Sequence, residues 1–239
     1  ARVVNAMKAA ATQRRARLPD LSFQPDLNFE ITGAESVTFA AAPLMGFGLR
    51  VTNAGTEAIH SIALRCQIMI EPARRQYTPE EQARLGDLFG EPQRWGQTLR
   101  AMLWTHAGIM VPGFTGSTLV DLPVPCTYDF NLAVVKYFHG LQAGEIPLCF
   151  QFSGSVFYAG EGGYLQVAPI SWNKESRFRL PVKTWGEMMD TYYPNSAWLY
   201  LRRDVFERLY RHKVRHGLPT WEETLEGLLD GVEQKEVGS

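Results

Sequence analysis

The chain contains no apolar run approaching the roughly 20 residues that a membrane-spanning helix requires, so nothing in its 239 residues reads as a membrane span. It also lacks charge of one sign. Twenty-four Lys and Arg stand against 25 Asp and Glu, a net of −1, without the basic excess that phosphate contacts demand of a general nucleic-acid binder. Cysteine is scarce: Cys66, Cys126 and Cys149 are odd in number, and each sits in an apolar run ("LRCQIMI", "VPCTYDF", "PLCFQF"). Buried free thiols and a reducing compartment are the expectation, with a cytoplasmic location. The paired arginines near the N-terminus lead into "LPDLSFQPD" instead of an apolar segment, so they do not read as an export signal. There is no CxxC, no HExxH and no GxSxG, and "GFTGST" lacks the lysine of a phosphate-binding loop. The one i, i+4 histidine pair, His212 and His216, lies in a basic helix end that repels cations. Neither metal nor cofactor is expected.

What the chain does have is alternation. Met45, Phe47, Leu49 and Val51 fall on one face of a strand, and "NAG" at 53–55 supplies a turn. His60, Ile62, Leu64, Cys66, Ile68 and Ile70 form the next apolar face, with Ser61, Arg65, Gln67 and Glu71 on the wet one. The same period predicts strands over 117–124, 126–138, 146–158, 164–170 and 176–182. In "FSGS" at 152–155 the glycine reads as a bulge. Short strands separated by Gly/Pro turns predict a mainly β protein, an antiparallel β-sandwich that is Ig-like or related.

Helices are marked by capping boxes, in which a threonine hydroxyl and a glutamate three residues on satisfy each other's orphan amides. "TPEE" at 78–81, "TWGE" at 184–187 and "TWEE" at 220–223 are three such starts. "GEP" at 90–92 should close the first helix. Trp198, Leu201, Val205 and Leu209 repeat at helical spacing, and Gly217 and Pro219 end that helix. It is basic (six Lys/Arg against two acids over 202–216) and precedes an acidic one (six acids against one Lys over 222–236), which predicts an antiparallel hairpin with complementary faces. The domain reading is a flexible basic arm over 1–20, a β-sandwich with one inserted helix over 21–183, and a C-terminal helical segment over 184–239 packed on the sandwich.

One stretch looks like a site. "WTHAGIMVPGFTGST", Trp104 to Thr118, gathers a tryptophan, a histidine, three glycines and several hydroxyls. Its plain reading is a connection between strands, with His106 hydrogen-bonded beside Trp104. Its functional reading is a binding surface on a loop held by a rigid sheet. Trp104, His106, Phe114, Thr115, Tyr128, Asp129 and His139 are the candidate binding residues; none is nominated as catalytic. A second reading makes the protein an enzyme or small-ligand binder, with a pocket between sheet and helical cap lined by His106, Tyr128, Asp129 and His139. Four of the six tryptophans lie between Trp172 and Trp221, either gluing helices to the sheet or anchoring a partner.

The strings "LRCQIMIEP", "LFGEPQRWG", "LWTHAGIMVPGFTGSTLVDLPVPCTYDF", "KYFHGLQAGEIPLCFQFSGSVFY" and "LPTWEETLEGLL" together resemble an uncharacterised bacterial family of unknown function. Its genes often lie beside those of a high-affinity, oxygen-tolerant [NiFe]-hydrogenase. The resemblance spans about Leu27 to Leu229 and carries no functional residue across. It implies a context, hydrogenase assembly or accessory binding, with hydrogenase subunits as partners. A chain without clustered cysteines suits gripping protein better than carrying nickel or an iron–sulfur cluster.

Overall fold

A computed structural model describes residues 25–127, 132–160, 163–196, 199 and 201–237. The expected basic arm, along with Tyr128, Asp129, Phe130, Trp198 and Tyr200, lies outside the described residues. Among the described residues, eight strands build two antiparallel sheets. β1 (Leu27–Ser36), β2 (Leu44–Asn53) and β5 (Ser117–Pro125) form the first, in the order β1-β2-β5. β4 (Met102–Val111), β3 (Ile59–Ile70), β6 (Glu145–Ala159) and β7 (Leu165–Pro169) form the second in that order, and β8 (Glu175–Pro181) pairs the first half of β6. The predicted mainly β, two-sheet architecture is what the chain adopts.

The alternation explains the core. Met45, Phe47, Leu49 and Val51 from one sheet meet Ile62, Leu64, Ile68, Phe150 and Phe152 from the other, all buried. Phe29 stacks on Phe152 at 4.5 Å between ring centroids, and Phe47 meets Phe150 edge-on at 5.0 Å, so aromatic rings span the interior between sheets. All three cysteines are buried free thiols.

Two bulges shift the period. In β3 the pairing with β6 slips between Ile59 and Ser61, which turns His60 out to solvent although its parity places it with the apolar face. In β4 the register with β3 slips between Ile68 and Met69, opposite Thr105 and Leu103. Trp104 is the additional residue, and Trp104 and Thr105 are buried side by side, as a bulge permits. At Gly154, by contrast, the ladder runs unbroken through Leu64↔Gly154. The glycine is needed for close approach: its φ is +136°, and a Cβ there would collide with the Ala63 carbonyl.

Three further expectations are corrected. Residues 132–138, predicted to continue a strand from 126, form helix α4 (Leu132–Gly140). Its buried set, Val134, Tyr137 and Phe138, followed by Leu141, recurs at i, i+3, i+4 and i+7, a helical period. The "TWGE" box does not start a helix, because α5 (Val182–Tyr192) begins two residues earlier, directly behind Pro181 and with no side-chain cap. The helix after it begins at Arg203, so Leu201 precedes it. "TPEE" does make both halves of its box at the start of α1 (Pro79–Arg84). Short helical turns α2 (Gly86–Phe89) and α3 (Trp95–Thr98) follow, and Gly90 at φ +73° ends α2 near the expected "GEP".

The chain divides into two compact units after Asn195. α5 belongs with the sheets, contacting β1, β2 and β8, so this division falls a helix later than the expected boundary at 183/184. The second unit holds α6 (Arg203–His216) and α7 (Trp221–Val237). Gly217 takes the left-handed conformation that closes α6, and the Thr220 hydroxyl accepts the Glu223 N–H at 3.1 Å at the start of α7. Among the described residues no helix is long and apolar enough to cross a membrane.

Candidate functional site

"WTHAGIMVPGFTGST" carries the chain from one sheet to the other. Trp104 to Val111 lie in β4, and Ser117 opens β5. The intervening turn is strapped down: Phe114 and Ile59 exchange backbone hydrogen bonds at 2.9 and 3.0 Å, and Gly116 O accepts the Asn53 N–H at 2.7 Å. Gly113 lies so close to the Ile59 and His60 carbonyls that a Cβ would sit 2.8 Å from the latter. These are the features of a fixed connection.

The candidate binding residues do not converge. Trp104 points into the core, with ring centroids 5.2 Å from Phe138 and 6.1 Å from Phe47. His106, two residues along, lies on the outer face, where Nε2 contacts Gln67 Oε1 at 3.3 Å and not Trp104. Phe114 is partly buried against the core, while Thr115 is exposed. Eight residues of chain separate Phe114 from His106, a run of roughly 26 Å if extended. His139 stands edge-on to Trp185 at 5.0 Å. Desolvation holds its pKa below the usual histidine value, opposed by Asp190. Tyr128 and Asp129 are outside the described residues.

The cleft where β4, α4 and α5 meet is lined by Trp104, Cys126, Val134, Phe138 and Trp185 and holds about 20 Å³, hardly more than one water. A wider open cleft of about 690 Å³ lies beside Arg74, Arg75, Glu145 and Arg179. Its arginines are engaged: Arg74 pairs with Glu71 at 2.9 Å, Arg75 with Glu81 at 2.8 Å, and Arg179 with Glu145 at 3.9 Å. Neither cleft is lined by His106 or His139.

The Arg75–Glu81 pair is almost fully buried. Glu81 also accepts the Gln142 and Thr78 N–H groups at 2.9 and 3.2 Å, while Arg75 donates to the Ala143 and Glu145 carbonyls. Beside it, the Tyr77 and Tyr137 hydroxyls meet at 2.9 Å. Burial pushes the Tyr137 phenol up to about 12 and raises that of Tyr77. All these groups are satisfied, so the knot ties α1 and the 141–145 loop to the end of β3 and leaves no polar atom for a substrate.

A surface that the period-2 reading passes over lies at β7, an outer strand of the five-stranded sheet. Leu165 and Val167 face solvent, flanked by exposed Tyr164 and Trp172. By register Val167 aligns with Phe157 and Ser61, and Pro169 with Ser155, Ala63 and Met110. No charged side chain interrupts those two rows. The signal was available in sequence: over 165–170 both faces of the strand are largely apolar (Leu165, Val167 and Pro169 on one, Ala168 and Ile170 on the other), whereas a strand wet on one face alternates.

A family model matches residues 24–237. The chain belongs to the family of unknown function DUF6084. No curated protein matches it. Among solved structures, this DUF6084 member is similar to the CARDB domain of a Pyrococcus furiosus protein, crystallised in complex with di-metal ions. The identity is 12%, covering 66% of this chain and 92% of that one, with a TM-score of 0.27. It is also similar to part of a β-glucosidase from Kluyveromyces marxianus, at 10% identity over 66% of this chain and 15% of that one, with a TM-score of 0.26.

Proposed function

We propose that the protein is a non-catalytic, cytoplasmic binding and assembly module whose sandwich grips a protein partner, and that this partner is a subunit of a [NiFe]-hydrogenase. The observation that carries the binding reading is the exposed apolar strip of Tyr164, Leu165, Val167 and Trp172 beside a sheet edge. Exposed apolar side chains on and beside one strand suit protein contacts, and an outer strand offers backbone groups for an added strand. The hydrogenase client rests on the gene context of the family that the sequence resembles.

The test is affinity capture from the native host at native expression, with the wild-type chain and a Leu165→Lys, Val167→Lys variant. Hydrogenase subunits should accompany the wild type and be lost from a variant whose melting transition is unchanged. Recovery of other partners through the same strip would refute the client and keep the binding role. Equal recovery by both proteins would refute the strip.

A further inference from the structure

The second unit, 196–239, leaves apolar surface uncovered. On α6, Phe206, Tyr210 and Val214 recur every fourth residue and are 47%, 53% and 62% exposed. On α7, Trp221 and Leu225 begin a stripe that Leu228, Leu229 and Val232 continue, and those last three are exposed. The two helices meet around the Trp221 ring, 5.3 Å from Phe206 and 6.4 Å from Tyr210, with Lys213 Nζ 5.9 Å above it. Past its first turns, the α7 stripe is exposed at Leu228, Leu229 and Val232.

The charges are unspent in the same way. Residues 202–216 carry six Lys/Arg against two acids, a net of +4, and 222–236 carry six acids against one Lys, a net of −5. Yet among the described residues no ion pair joins α6 to α7; the pair found within this unit is Arg202 with Asp204. At about 100° per residue, Arg203 falls in line with the α6 stripe and Arg211 borders it, while Glu226 and Glu233 border that of α7.

A partner of one sign would satisfy one helix and repel the other. A second copy satisfies both at once: a two-fold axis sets each α6 against the partner's α7, with apolar stripes at the centre and opposite charges alongside. We propose that the C-terminal unit is a dimerisation element in which α6 of one chain packs on α7 of another to make a four-helix assembly. Two helices of 14 and 17 residues are marginal in isolation, and this pairing supplies the core they lack. The proposal is independent of the β7 strip.

The experiment is sedimentation equilibrium on the full chain and two charge variants, Arg203→Glu with Arg211→Glu, and Glu226→Lys with Glu233→Lys. The wild type should be a dimer. Each variant alone should dimerise on the order of a hundredfold more weakly, because like charges face each other twice. An equimolar mixture should recover the dimer, since every facing pair is then opposite in sign. A wild-type chain that stays monomeric up to on the order of 100 µM overturns the proposal. So does a dimer that either variant leaves intact, or a mixture that fails to restore association.

Discussion

Trp104 and His106 stand two residues apart in one strand and belong to different environments. Trp104 is buried among Phe47 and Phe138, so Trp104→Ala should cost about 3–5 kcal/mol in a urea-unfolding titration. His106 is exposed and its ring meets the Gln67 side chain, so His106→Ala should change stability by no more than about 0.5 kcal/mol. A loss above about 2 kcal/mol for His106→Ala would show that the outer-face contact with Gln67 is structural. The cysteines follow the same logic of place. Burial pushes the Cys66 and Cys126 thiols up to about 12 and that of Cys149 up to about 11, so at pH 8 hardly any thiolate exists to react. Ellman's reagent should label none of them in the native protein within minutes and three after denaturation; rapid native labelling would contradict the burial.

At the scale of elements, two devices hold the sandwich to its helices and its own bend. Arg75→Met leaves the Glu81 carboxylate buried against backbone amides without its counter-charge, and should destabilise by roughly 3–5 kcal/mol. Replacing both partners with apolar residues should cost less than the single change, since no lone charge is then stranded; thermal melts of the wild type and the two variants check the ordering. Gly154→Ala should be among the most damaging single-methyl additions in the molecule, on the order of 3 kcal/mol, because the new Cβ meets the Ala63 backbone and cannot be relieved by a rotamer. A melting temperature within a degree or two of wild type would show that β6 can relax there. These elements also show where local pattern was enough. "TPEE" forms its box in place because capping involves neighbours alone, whereas "TWGE" is overridden because Pro181 and the end of β8 already start the helix.

For the whole molecule, the division after Asn195 places the eight described strands, the aromatic core and the Arg75–Glu81 knot in one unit. Removing 196–239 should therefore leave a folded sandwich whose near-ultraviolet circular dichroism keeps the signature of the buried Trp95, Trp104 and Trp185 and whose melting remains cooperative. Collapse of that signature would mean that the two units fold as one. The candidate site was legible only in part. Composition and motif scanning nominated Trp104, His106, Phe114, Thr115 and His139 because such residues are chemically versatile, but proximity is a tertiary property, and the fold sends them to the core, the outer face and a pinned turn.

The sequence by itself determined the class of structure. Period-2 apolar alternation has one way to bury itself, between two sheets, and the strand faces of β2, β3 and β6 follow from it because side chains on a strand point to alternate sides. It determined equally that cysteines set in apolar runs would be buried. Tertiary structure decided whatever depends on a partner strand. The bulges at His60 and Trp104 arise from pairing with β6 and β3 and reverse the parity that a single strand displays. The helix at 132–140 forms where a strand was expected, because Val134, Tyr137 and Phe138 fill a core space beside Trp104 that only the assembled sheets create. The uncharged rows beside β7 exist only once Leu165 and Val167 are set in register with Ala159 and Phe157, since an exposed patch is a property of neighbours in space and not of neighbours in the chain.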